Sequence, residues 1–146
     1  MIHLLDVNVL IALLDSDHDF HEEAHGWFDR VGRSGWATCP ITENGTIRIM
    51  GHVRYPSGFG NPGAVAAVLR SLRAVEGHQF WPDDLSLLTS PLISTSGLAA
   101  AARVTDAYLL ALAVSKGGKL ATFDRRLSPA AVRGGAEAMQ VIGAEG

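Results

Sequence analysis

Short apolar runs that stop at an acid, alternating with helical stretches, constrain this chain more than any other feature. Ile2-His3-Leu4-Leu5 ends at Asp6, and Lys119-Leu120-Ala121-Thr122-Phe123 ends at Asp124. Trp36-Ala37-Thr38-Cys39, His78 to Trp81 and Met139 to Ile142 are further runs of strand length. Apolar runs this short predict strands buried in a sheet. The segments between them carry helical spacing. Val7 to Leu14 places Leu10, Leu13 and Leu14 together, and Phe20 to Val31 lines up Ala24, Trp27, Phe28 and Val31. Ala64 to Val75 does the same with Val65, Val68, Leu69 and Leu72. A helix opening at Pro40 and Thr42 carries Ile41, Ile47, Ile49 and Met50, and one from Asp106 to Ser115 stops at Gly117-Gly118. Asp19 is expected to cap the Phe20 helix. Asp83 to Ser90 reads as a short helix and Pro129 to Val132 as a single helical turn. Strands alternating with helices predict an α/β fold with a mostly parallel sheet covered on both faces, in one domain over residues 1–146. Functional groups in such folds gather beyond the carboxyl ends of the strands.

The composition fits a globular domain, with 47% hydrophobic and 18% charged residues in 146. No apolar run approaches the roughly 20 residues that span a bilayer, so no membrane association is expected. The first residues, Met1-Ile2-His3-Leu4-Leu5-Asp6, show no export signal. The single cysteine, Cys39, fits a reducing compartment and an apolar role, so the expected location is cytoplasmic. The formal charge of −3 argues weakly against a nucleic-acid binder, but cations held by the acids would return positive charge. Ten arginines against two lysines suit phosphate contact, and equally suit a GC-rich genome.

Four acids stand beside these elements: Asp6 and Asp124 after strands, Glu43 and Asp106 in the first turns of helices after Thr42 and Thr105. Carboxylates at helix starts complement the macrodipole, which explains any one of them alone. In a parallel sheet all four reach one edge. Crowded carboxylates repel, and a site that crowds them suits a hard divalent cation.

The segments Leu5-Asp6-Val7-Asn8-Val9-Leu10-Ile11-Ala12, Ile41-Thr42-Glu43-Asn44-Gly45, Val104-Thr105-Asp106-Ala107-Tyr108-Leu109-Leu110-Ala111 and Ala121-Thr122-Phe123-Asp124 resemble the successive motifs of PIN domains. More narrowly, they resemble the VapC-type toxin ribonucleases of bacterial toxin–antitoxin pairs. The stretch from Gly51 to Leu98 carries no such motif. The resemblance implies a three-layer α/β/α sandwich and RNA cleavage dependent on Mg²⁺ or Mn²⁺, on transfer RNA or another structured RNA. It also implies control by a bound antitoxin, and a homodimer. Asp6, Glu43, Asp106 and Asp124 then match the catalytic, metal-holding acids, Asp124 the least secure as a direct ligand. Asn8 and Thr122 match supporting polar positions; a helix cap and an ordinary strand residue are their plainer readings. Hard oxygen ligands suit Mg²⁺, and hydrolysis by water would leave a 5′-phosphate and a 3′-hydroxyl with no protein nucleophile. Arg48, Arg54, Arg125 and Arg126 lie nearest the acids in sequence and are the candidates for RNA phosphate contacts, against a plain solvated surface.

Two other function classes remain open at this stage. In a phosphatase-like enzyme Asp6 would be a covalent nucleophile, although the second acid usual two residues later is here Asn8. A non-catalytic, acid-lined binding domain is the other. His21 and His25 stand four apart, yet a zinc site needs three or four converging ligands, so a solvated helix face is expected. His3, His52 and His78 have no evident partners. The loop Gly58-Phe59-Gly60-Asn61-Pro62-Gly63 lacks the Lys-Ser/Thr of a P-loop. Trp27 and Trp36 read as core residues; Tyr55, Phe59 and Trp81 could stack on bases, with packing the favoured role of Trp81.

Overall fold

A computed structural model describes residues 1–143. Five parallel strands form the sheet: β1 (His3–Leu5), β2 (Trp36–Thr38), β3 (His78–Phe80), β4 (Lys119–Thr122) and β5 (Met139–Val141). Their order is β3-β2-β1-β4-β5. Helices α1 (Val7–Leu14) and α2 (His21–Arg30) join β1 to β2, α3 (Pro40–Met50) and α4 (Pro62–Arg73) join β2 to β3, and α5 (Val104–Ser115) leads into β4. This is the expected three-layer α/β/α sandwich.

Strand periodicity explains both layers, because successive side chains point to opposite faces. Leu4, Ala37 and Leu120 pack with Leu109, Leu110 and Leu112 of α5. Their chain neighbours Leu5, Trp36 and Ala121 pack instead with Leu10 of α1 and Trp27 and Phe28 of α2. The central strands β2, β1 and β4 therefore have no solvent face in their middle, whereas the edge strand β3 exposes Gln79 and Phe80, and Trp27 and Trp36 are core residues as expected. Trp81 is also buried.

From β1 the chain first winds one way, to β2 and β3, then crosses to β4 and β5 on the other side. The winding reverses between β1 and β4, and the crevice at that switch point is where sheets of this kind present ligands. Continuing the alternation past the strand ends puts Asp6 in phase with Leu4, and Thr122 and Asp124 in phase with Leu120. All three thus belong to the face covered by α5.

Two local expectations change and a third holds. Residues 83–90 form no helix: 83–86 have no regular structure, Leu85 and Leu87 pack against the α5-side core, and 87–89 make a single turn closed by the Ser90 N–H on the Ser86 carbonyl at 3.0 Å, with Leu88 exposed. Asp19 does not cap α2. The helix starts at His21 without a side-chain cap; the Phe20 N–H goes to His18 Nδ1 and the His21 N–H to the His18 carbonyl, each at 3.0 Å. Residues 129–132 make one hydrogen-bonded turn, Val132 N to Pro129 O, and Val132 then bridges Ile93 antiparallel. Among the described residues no helix is long and apolar enough to cross a membrane.

Candidate active site

Asp6 ends β1 with extended backbone and starts α1. Its Oδ1 accepts the Val7 N–H at 2.8 Å and its Oδ2 accepts the Thr122 hydroxyl at 2.8 Å. Thr122 is fully buried and is the hub of the site. Its Oγ1 also accepts Asn8 Nδ2 at 3.1 Å and the Asp124 N–H at 3.1 Å, while Asn8 Oδ1 accepts the Phe123 N–H at 3.1 Å. Asn8 and Thr122 therefore tie the ends of β1 and β4 together and fix the rotamer of Asp6. Both plainer readings, helix cap and ordinary strand residue, understate them.

Asp6 is only 7% exposed, and its hydrogen-bond donors are neutral. Burial raises its pKa, with the charges of Asp106 and Asp124 adding to the rise, against the opposing bonds from Thr122 and Val7. Asp106 stands in the first turn of α5 and shares with Asp6 a cleft of about 810 Å³. Asn44, Gly45 and Arg48 of α3 line the opposite wall. Gly45 lets that wall come close, since a Cβ there would lie 2.9 Å from Val7 Cγ2.

Asp124 has a different environment. Burial pushes its pKa up, but Arg103 and the Arg126 N–H outweigh this and hold it below the ordinary range. Arg103 Nη1 lies 2.5 Å from Asp124 Oδ2 and 3.1 Å from Asp106 Oδ2. Reading from the acids forward missed Arg103, which precedes Asp106 by three residues. The i,i+3 spacing was the available signal.

Glu43 does not line the cleft with Asp6 and Asp106. Its Oε2 accepts the Thr38 hydroxyl at 2.6 Å and pairs with Arg73 Nη1 at 3.1 Å. Thr38 also meets His78 Nε2 at 2.8 Å, and because the hydroxyl proton goes to Glu43, His78 must donate. Burial, then Arg73, lowers the His78 pKa, with Glu43 opposing. His78 thus has partners that the sequence did not reveal.

The four candidate arginines diverge. Arg48 lines the cleft, and Arg54 lines an adjoining hollow with Arg48, Ile49 and Tyr55. Arg125 donates to the Gly143 carbonyl at 3.2 Å, and Arg126 gives its backbone N–H to Asp124 Oδ1 at 2.8 Å. His21 Nδ1 and His25 Nε2 lie 2.7 and 2.9 Å from the carbonyls of Ala12 and Leu13, free acceptors at the end of α1. Those nitrogens donate, and among the described residues no third ligand converges on the pair, so the zinc idea finds no support. Tyr55 is committed to Asp15 at 2.5 Å.

Asp6, Asp106 and Asp124, with the Thr122 hydroxyl beside them, are hard oxygen donors of the kind that Mg²⁺ and Mn²⁺ take. A buried carboxylate without a cation partner, Asp6, fits such an ion. Among the described residues no three His, Cys, Asp or Glu side chains converge tightly enough to hold one as they stand.

The sequence model of the PIN domain matches residues 3–132. The chain belongs to the PIN-domain family, in its VapC branch. It is 45% identical to Ribonuclease VapC44 of Mycobacterium tuberculosis over 131 residues, 90% of this chain and 92% of the relative. Ribonuclease VapC39 of the same organism is 41% identical over 134 residues, covering 92% and 96% of the two chains. Ribonuclease VapC38 is 44% identical over 122 residues, covering 83% and 84%. In this PIN domain the motif acids Asp6, Asp106 and Asp124 stand around the switch point, and the motif acid Glu43 stands on the β3 side of α3.

Proposed function

We propose that this chain is a divalent-metal-dependent endoribonuclease, the toxin half of a type II toxin–antitoxin pair. The observation that carries the reading is the Asp6–Thr122–Asn8 network, which holds a buried, cation-free carboxylate at the switch point with Asp106 and Asp124 on the same face. VapC-type relatives over most of the chain's length support the same reading.

Asp6, Asp106 and Asp124 would hold Mg²⁺ or Mn²⁺, and Glu43 would join them by releasing Thr38 and Arg73. Such an ion supplies a more acidic water and offsets charge on the reacting phosphate. The chain's own contribution is positioning. Thr122 fixes the Asp6 carboxylate by donating to Oδ2, and Asn8 fixes Thr122. Arg48, on the wall opposite Asp106, is placed to receive a phosphate of the RNA, with Arg54 extending the track. Asn8 is spent on Thr122 and the Phe123 N–H, so the position two after Asp6 offers no general acid. That weakens the phosphatase-like alternative.

The RNA substrate, a cognate antitoxin, a homodimer and a bacterial cytoplasmic location belong to this proposal. The test is cleavage of total RNA by antitoxin-free protein with Mg²⁺, with Mn²⁺ and with EDTA, beside Asp6→Asn. Discrete fragments with 5′-phosphate ends, lost in EDTA and in the variant, are expected. Cleavage that survives both would remove the acidic site from the reaction.

A further inference from the structure

Among the described residues Arg103 is the one cation whose side chain is ion-paired with these aspartates, on Asp106 and Asp124, and the proposed chemistry gives it no task. A single nitrogen, Nη1, contacts both Asp106 Oδ2 at 3.1 Å and Asp124 Oδ2 at 2.5 Å. These two carboxylates come from different elements, one opening α5 and one following β4. A brace for the α5 N-terminus alone would need only the i,i+3 pair with Asp106. Reaching on to Asp124 puts positive charge between two carboxylates of the site. The Arg103 side chain is 38% exposed and hangs from the short 3₁₀ turn Ala101–Arg103, so its release disturbs no packed core. Ion pairs this exposed hold weakly, so the guanidinium can exchange.

We infer that Arg103 is a resident cation of this site, occupying Asp106 and Asp124 in direct competition with the divalent metal. The inference rests on the metal-dependent reading above. A guanidinium and a divalent ion cannot share the same two oxygens, because like charges about 4 Å apart repel strongly wherever the medium is less polar than water. The metal reaches Asp106 and Asp124 as Arg103 leaves, and the native affinity is held below what three free aspartates would give. The freed guanidinium, with its fork of donors, then faces the cleft mouth where RNA phosphate would lie.

The experiment is Mn²⁺ binding by calorimetry and electron paramagnetic resonance, on the full chain without RNA or antitoxin. Arg103→Gln should bind Mn²⁺ about ten-fold tighter or more, since a repelling charge is removed. Arg103→Lys keeps the charge and should stay within about three-fold of wild type. Asp106→Asn should lose most binding. Unchanged or weaker binding by folded Arg103→Gln overturns the inference and leaves Arg103 as a brace. Unchanged binding by Asp106→Asn is a different result: it removes the metal from this site altogether and the inference with it. In wild type, independently of any variant, the Arg103 side-chain NMR signal should pass from held to mobile on saturation with Mg²⁺; a signal that stays held contradicts the competition.

Discussion

Asp6 and Glu43 are both motif carboxylates, yet the fold gives them opposite surroundings. Asp6 is buried at the switch point, bonded to a hydroxyl and a backbone N–H, with two other aspartates as its charged neighbours. Glu43 is paired with Arg73 and bonded to Thr38 on the β3 side of α3. The difference teaches that topology delivers a carboxylate to an edge, while its immediate neighbours decide whether it is free to take a cation. Asp6 is held ready, whereas Glu43 must first give up partners.

The sharpest way to break that comparison is to neutralise each acid. Asp6→Asn or Asp106→Asn should lower RNA cleavage by about 100-fold or more, because each removes a charge the metal needs. Glu43→Gln should cost less, about ten-fold, in the same assay. Equal losses would mean that giving up Thr38 and Arg73 costs Glu43 nothing in the working enzyme, and the comparison fails. Next in size is the support of Asp6. Thr122→Val keeps the shape but removes the hydroxyl that orients the carboxylate, and should cost about 10–100-fold in metal affinity or activity. It also leaves Asn8 Nδ2 and the Asp124 N–H without their acceptor, so the variant should be less stable by about 1–3 kcal/mol in chemical denaturation.

The arginines make a smaller contrast. Arg48→Ala should weaken RNA binding by about 3–10-fold at low salt, while Arg125→Ala, whose guanidinium is turned to the Gly143 carbonyl, should stay within about two-fold. Filter binding over a salt series reads both.

The smallest effect is on pH. Asp6 is raised by burial, so its contribution to folding is fully present below its unfolded pKa and is lost as pH rises through its folded value. Asp124 is lowered, so its contribution is present above its unfolded pKa and is lost as pH falls through its folded value. Mg²⁺ binds the ionised form and offsets the cost at Asp6. The rise in Tm on adding Mg²⁺ should therefore be larger at pH 8 than at pH 5, by about 2–4 °C.

The sequence carried the strands, the main helices and the order of the acids, because buried strands and amphipathic helices leave period and composition in the chain. It carried the placement of Asp6, directly after β1, and of Asp124, two residues past β4. It did not carry the pairing of Glu43 with Arg73, 30 residues away, or the bond from His78 to Thr38, because contacts across a sheet edge leave no local spacing. Residues 83–90 were misread for a related reason. Leu85 and Leu87 answer to the core that α5 builds beneath them, and tertiary packing overrides local helical preference there.

A divalent ion at the β1–β4 switch point would sit on Asp6 and its aspartate neighbours. Anomalous scattering from a crystal of the chain soaked in Mn²⁺ tests it most directly. A peak in coordinating contact with Asp6 and Asp106 is the predicted result. A peak at Glu43 and His78, with none beside Asp6, would contradict it.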